Sequence, residues 1–166
     1  MSWMKDQATK VWKTLLEPEM ISQKVQSDRP EWDNIWMKMA HLISERSYDP
    51  RTKVGVVVAT EDNTQVLAVG YNGNYAGGPN EVESTIPGES GMIHAEINAC
   101  IKMDYNNPQK KKIYVTMSPC IACAKVIINA GIAEVVYDEE YRITDGLDIL
   151  RKSGLVVRKF TPKHNT

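Results

Sequence analysis

The 166-residue sequence has no apolar run near the roughly 18 residues that a membrane-spanning helix needs, so no membrane partner is expected. Its first residues, MSWMKDQATKVWK, carry charge throughout and lack the apolar centre of a secretory leader. An excess of one charge is missing too: 20 Lys and Arg stand against 21 Asp and Glu, a net charge of −1. A protein built to coat a polynucleotide needs a basic surplus, so no polynucleotide partner is expected either. The small basic clusters, Lys110-Lys111-Lys112 and Arg158-Lys159, read as solvated faces. Cysteine is scarce, with three in all, two of them in a CxxC. That excludes a disulfide scaffold and points to metal or redox chemistry in a reducing, cytoplasmic setting. Hydrophobic residues at 42% and charged residues at 25% suit one globular domain with a real core.

Residues 1–30 read as an N-terminal appendage and 31–166 as the main domain. In the appendage, Trp12, Leu15 and Leu16 offer one face of a short helix before Pro18 and Pro30 break the pattern. From Glu31 the apolar residues Trp32, Ile35, Trp36, Met39, Leu42 and Ile43 recur at helical spacing. VGVVVAT and QVLAVGYNG read as two strands joined by a tight turn in EDNT. A long loop follows, then a helix expected from near Gly91 through HAEINACIKM, and the strand KKIYVTM. SPCIACAKVIINAG reads as a helix capped by Ser118, with Pro119 in its first position and Gly131 ending it. A strand, a helix and a last strand complete the order α-β-β-α-β-α-β-α-β. The expected architecture is a three-layer α/β/α domain on a mixed five-stranded sheet, with parallel strands in its second half.

The chemistry concentrates in HAE and PCIAC. Cys120 and Cys123 stand three apart at a helix start, where their sulfurs can reach one ion and thiolates are favoured. His94 supplies a third donor. Three protein ligands plus water is the catalytic arrangement of Zn²⁺, one per chain, whereas a structural zinc wants four. Glu96 lies two residues on and is placed to shuttle the proton of an acidified water. H-x-E with P-C-x-x-C is the known signature of zinc deaminases. A redox CxxC would leave His94 and Glu96 without a purpose. Cys100, about 240° around the helix from His94, reads as a buried small hydrophobe. His41 reads as surface or packing, and His164 falls in a polar tail.

These residues resemble the zinc-dependent cytidine deaminase superfamily, and within it the deoxycytidylate (dCMP) deaminases, from about Trp32 to Phe160. The matching stretches are RSYDPRTKVGVVV, GYNGNYAGGPN, HAEINA, YVTMSPCIACAKVIINAGIAEVVY and EEY. The resemblance implies a cytidine-deaminase-like fold and hydrolysis of dCMP to dUMP and ammonia, feeding dTMP synthesis. It implies zinc on His94, Cys120 and Cys123, with Glu96 as proton shuttle. It further implies sugar contact by Asn72, acceptance from the exocyclic amine by the Ser118 carbonyl, and donation to the pyrimidine O2 by the Ala95 amide. Arg46, ending the first helix, is the candidate for the substrate phosphate, with an ion pair to Glu45 or Asp49 as its other reading, and Tyr141 is the candidate to close over sugar or base.

Members of that family are commonly hexamers activated by dCTP and inhibited by dTTP, which implies a homo-oligomer here. The loop NYAGGPNEVE, with Gly77, Gly78, Asn80 and Glu81, is the matching candidate for an effector site, and Glu81 and Glu83 for Mg²⁺ carried by a triphosphate. An ordinary flexible loop is the competing reading. Several relatives bind a second zinc through cysteines where this chain has Tyr48 and GGPNEVE, so no second zinc is expected. The alternatives are a deaminase of another nucleoside, nucleotide or base, and a zinc-stabilised interaction module, which Glu96 argues against.

Overall fold

A computed structural model describes residues 29–162 other than 85, 87 and 88. The expected helix at Trp12, Leu15 and Leu16, and His164, lie outside the described residues. A compact unit spans Trp32–Pro162. Its elements are α1 (Trp32–Ser44), β1 (Gly55–Thr60), β2 (Val66–Tyr71), α2 (Ala95–Lys102), β3 (Lys111–Met117), α3 (Ile121–Asn129), β4 (Ile132–Glu139), α4 (Asp145–Lys152) and β5 (Val156–Lys159). The sheet order is β2-β1-β3-β4-β5. β1 runs antiparallel to β2 and β3, while β3, β4 and β5 are mutually parallel. The mixed sheet expected from the sequence is therefore present.

Alternation along the strands divides the core into two layers. Val56, Val58, Ile113, Val115 and Val135 face α2, α3 and α4 through Ala95, Ala99, Ala124, Ile127, Leu147 and Leu150. Val57, Ala59, Tyr114 and Val136 face α1 through Trp36, Met37 and Ala40. All six residues of β1 are buried, which explains why VGVVVAT is continuously apolar rather than alternating. The β1–β2 turn is closed by Asp62, whose Oδ1 accepts from Thr60 Oγ1 and from the Thr64 amide, with Asn63 in the left-handed region at φ 61°. Trp36 Nε1 donates to Asn63 Oδ1 at 3.0 Å and fastens α1 to this turn.

Three expectations shift. The buried stripe of α1 is Trp36, Met37, Ala40 and Ser44, leaving Trp32 and Leu42 exposed. The small Ala40 lets the helix approach the sheet at Gly55, where a Cβ would lie 1.9 Å from the Ala40 carbonyl oxygen. α2 begins at Ala95 rather than near Gly91, because Ile93 is still paired with Gly73 across an isolated bridge. α3 begins at Ile121 with Cys120 as its N-cap; Ser118 instead accepts from the Tyr141 amide at 2.8 Å. Gly131 ends α3 as expected, at φ +70°.

The basic clusters are not simply solvated. Lys111 is buried and donates to the Asn107 carbonyl at 2.7 Å. Arg158 on β5 bonds Asp33 of α1 at 2.8 Å and Glu134 of β4 at 2.6 Å. Tyr114, fully buried on β3, donates to the same Asp33 at 2.8 Å, so its hydroxyl is not left unpaired. Burial alone would raise the Asp33 carboxyl, but its bonds from Arg158 and Tyr114 outweigh this and hold it below the usual range. The stability it contributes is present above about pH 4 and is lost as pH falls through the lowered value. Replacing Arg158 with Met is expected to cost about 1–2 kcal/mol in urea unfolding at neutral pH, since partial exposure screens the pair. That difference should narrow below about pH 4; a difference constant with pH would remove Asp33 from the account.

Candidate active site

The ends of β2, β3 and β4 and the start of β1 share one edge of the sheet, as the pairs Gly55↔Tyr71, Val56↔Val115 and Met117↔Glu139 show. α2 and α3 also begin at this edge. The loop into α2 carries His94 and the loop out of β3 carries Cys120, so two segments 26 residues apart meet there. Asn98 Nδ2 donates to the Tyr71 carbonyl at 2.9 Å and ties the first turn of α2 to the end of β2.

His94 Nδ1 lies 3.6 Å from Cys120 Sγ and 3.3 Å from Cys123 Sγ. The three donor atoms all fall within 4.8 Å of one another. A tetrahedral zinc, with bonds of about 2.3 Å to sulfur and about 2.0 Å to nitrogen, separates such donors by about 3.5 Å. The soft His/Cys/Cys set and its spacing fit zinc, and no fourth His, Cys, Asp or Glu joins the group among the described residues. Hydrogen bonds from Cys123 and from His94 hold the Cys120 thiol down at about 3. Cys123 is pushed up by that bond with Cys120 and by burial. His94 is raised by its bond to Cys120. Loss of a proton is thus easier at Cys120 than at Cys123, and a bound cation would favour the thiolate form of both.

Glu96 is buried to 4% exposure. Burial pushes its carboxyl up, opposed by a hydrogen bond at its own backbone and by the His94 charge, and its side chain reaches Cys123. A carboxyl raised in this way holds a proton more readily than a solvated one, which suits proton transfer. Cys100 is half-buried against the core, its thiol pushed up to about 11 by burial. His41 is exposed and pairs with Asp138 at 2.7 Å.

A cavity of about 390 Å³ opens over this cluster. Of the residues expected from the sequence, it brings together Asn72, His94, Ala95, Glu96, Ser118, Cys120 and Tyr141, with Cys123 buried behind. Asn72 is a scaffold as well as a wall. Its Oδ1 accepts from the Val54 amide at 2.8 Å, and its Nδ2 donates to the Thr52 carbonyl at 2.9 Å. Arg46 is exposed in the turn after α1 and does not line the cavity. Gly77, Gly78, Asn80 and Glu81 sit on the excursion between Gly73 and Ile93, likewise outside the cavity wall. The wall also holds Asp49, Arg51, Met92 and Arg142, which sequence reasoning did not assign. For Arg51 a signal existed in RSYDPRTKVG, where two arginines compete for one role.

Comparisons agree with this geometry. The family described as "Cytidine and deoxycytidylate deaminase zinc-binding region" matches residues 30–139. A mouse protein named deoxycytidylate deaminase is 32% identical over 161 residues, covering 87% of this chain and 88% of its own length. A Bacillus subtilis relative, ComE operon protein 2, is 37% identical over 139 residues, covering 80% of this chain and 72% of its own. The crystal structure of the dCMP deaminase of cyanophage S-TIM5, in complex with dCMP and dUMP, superposes with a TM-score of 0.69. It is 40% identical, over 80% of this chain and 98% of that one.

Two close approaches hold the cluster together. A Cβ on Gly70 would lie 2.2 Å from the Ala95 carbonyl oxygen, and one on Gly146 2.1 Å from that of Pro119. Gly146→Ala should therefore push the Pro119–Cys120 backbone away from His94. We expect zinc affinity at least tenfold weaker in chelator competition, with far-ultraviolet circular dichroism retained. Unchanged affinity would show that this backbone yields freely.

Proposed function

The chain belongs to the cytidine and deoxycytidylate deaminase family, and from that premise we propose that it is a zinc-dependent dCMP deaminase, releasing dUMP and ammonia and feeding dTMP synthesis. The observation that carries the proposal is the buried Glu96 carboxyl beside a three-donor cluster, inside a cavity of nucleotide size.

His94, Cys120 and Cys123 would hold the zinc, which when bound supplies a Lewis acid that acidifies solvent. The net reaction forms one C4–O bond of the pyrimidine and breaks the C4–N bond to the exocyclic amine. Glu96 would take one proton of the attacking water and deliver it to the ring nitrogen N3, then take the second from the new C4 hydroxyl and deliver it to the amine, which departs as ammonia as the C4=O bond forms. The apolar wall of Met92 and Met117 limits competing water. The Ser118 carbonyl would accept from the amine and the Ala95 amide would donate to O2, so that both edges of the pyrimidine are read. Asn72 would meet the sugar, and Tyr141 would cover sugar or base. The cavity position of all four supports these roles.

The catalytic domain would be 31–166, with 1–30 appended. Activation by dCTP, inhibition by dTTP, Mg²⁺ at Glu81 and Glu83, and a homo-oligomer up to a hexamer rest on family resemblance. The three free thiols, Cys100, Cys120 and Cys123, suit a reducing cytoplasm. No helix among the described residues is long and apolar enough to cross a membrane.

The test is direct. Purified protein is incubated with deoxycytidine, dCMP, dCTP and guanine, and ammonia and deaminated product are followed. Preferred turnover of dCMP is expected; a preference for another base would reassign the substrate. Glu96→Gln should lower turnover by about 10²–10⁴-fold or more while zinc stays at one per chain. Surviving turnover would transfer the proton work to another group.

A further inference from the structure

β3 and β4 run parallel, and their pairing extends to Met117 opposite Glu139. One more rung is made, since the Ser118 amide donates to the Glu139 carbonyl at 2.8 Å. In a regular parallel ladder the following rung would take the Tyr141 amide to the carbonyl of the same Ser118. The structure does otherwise: the Tyr141 amide donates to Ser118 Oγ at 2.8 Å. A side-chain hydroxyl has taken the place of a backbone acceptor.

The surroundings keep this exchange in place. Ser118 is buried. Pro119 follows it, holds it extended and has no amide to donate, so β3 cannot carry the ladder further. Gly146, at the start of α4, comes close to the Pro119 carbonyl and fixes the same loop from its other side. Ser118, Cys120 and Tyr141 all line the cavity. With its amide satisfied by Oγ, the Tyr141 segment stays fastened to the loop that carries Cys120. The Ser118 carbonyl is at the same time released from the ladder at the cavity wall.

We propose that the Ser118 hydroxyl is a positioning group for the reaction: by accepting from the Tyr141 amide it keeps the Ser118 carbonyl for the exocyclic amine of the substrate. The proposal rests on the dCMP reading of the same site. A carbonyl oxygen accepts and cannot donate, so it favours the amine of cytosine and opposes O4 of uracil, where two acceptors would meet. The hydroxyl thus bears on telling substrate from product. Without it, the Tyr141 amide turns to the Ser118 carbonyl, because an amide in a half-buried place is costly to leave without an acceptor. The carbonyl is then shared between the ladder and the substrate. Thr keeps the hydroxyl and suits an extended residue before proline, while Val has the shape of Thr and no hydroxyl.

The experiment compares wild type, Ser118→Ala, Ser118→Val and Ser118→Thr, each at the same zinc content. Two values are measured: kcat/KM for dCMP, and the affinity for dUMP by calorimetry. General damage to the cavity or to the Tyr141 segment lowers both, whereas loss of the amine's acceptor lowers only the first. In Ser118→Ala and Ser118→Val we expect kcat/KM for dCMP to fall about three- to tenfold, the scale of one hydrogen bond, with dUMP affinity within about twofold of wild type or tighter. Ser118→Thr should stay within about twofold of wild type in both values. Two values that fall together in Ala and Val, or that stay at wild type, overturn the proposal. So does a Thr variant that loses as much as its Val counterpart, a comparison that holds even where Ser118→Ala does not fold. A wild type that does not turn over dCMP defeats the substrate reading itself, and the role of the hydroxyl with it.

Discussion

Three soft donor atoms must share the reach of a single ion, and they come from two chain segments separated by a full strand. Everything at the working edge of the sheet answers to this constraint. His94 precedes α2, Cys120 caps α3, and Cys123 stands in the first turn of α3. Both helix starts must therefore lie side by side over the end of β3. The sheet achieves this by placing β3 centrally, with an antiparallel neighbour on one side and a parallel one on the other. Glycines at 70 and 146 remove the side chains that would hold α2 and the Cys120 loop apart.

The same arrangement sets the protonation state of the site. A thiol at a helix N-terminus, where its thiolate form is favoured, and an imidazole at hydrogen-bond distance suit a cation between them. Glu96, the second residue of α2, is buried where its charge is costly unless a cation lies nearby. Metal and carboxylate thus suit each other. The ion offsets the burial of Glu96, and burial leaves Glu96 able to carry a proton rather than remain permanently ionised.

Much of this was legible in the sequence, and the reasons are local. The run KKIYVTM coincides with β3, a short, mostly buried stretch rich in β-branched and aromatic residues. The order of helices and strands follows from similar contrasts, and the metal donors follow from ligand spacing. What was not legible depends on how elements meet. The buried stripe of α1 is turned toward Met37 and Ala40 because the sheet comes close at Gly55, a contact no helical periodicity reports. The basic run ending in Arg158 looks like a solvated face until Asp33 and Glu134 are brought to it from elements far away in sequence. Arg46 and Arg51 are five residues apart in one short segment, and only the path of the chain into β1 turns Arg51 to the cavity.

Reaction and substrate choice consequently occupy different parts of the same edge. The three-donor cluster and Glu96 sit at helix starts held by the sheet, so their spacing is fixed and leaves a recognisable imprint in the sequence. The rest of the cavity wall is drawn largely from the segments before β1, after β2 and after β4, which carry Arg51, Asn72, Tyr141 and Arg142. A motif made of His94, Glu96, Cys120 and Cys123 therefore identifies the reaction class, while the identity of the molecule deaminated is set by loops that the motif does not contain. A chain with a net charge of only −1 has little general field with which to draw in an anionic nucleotide.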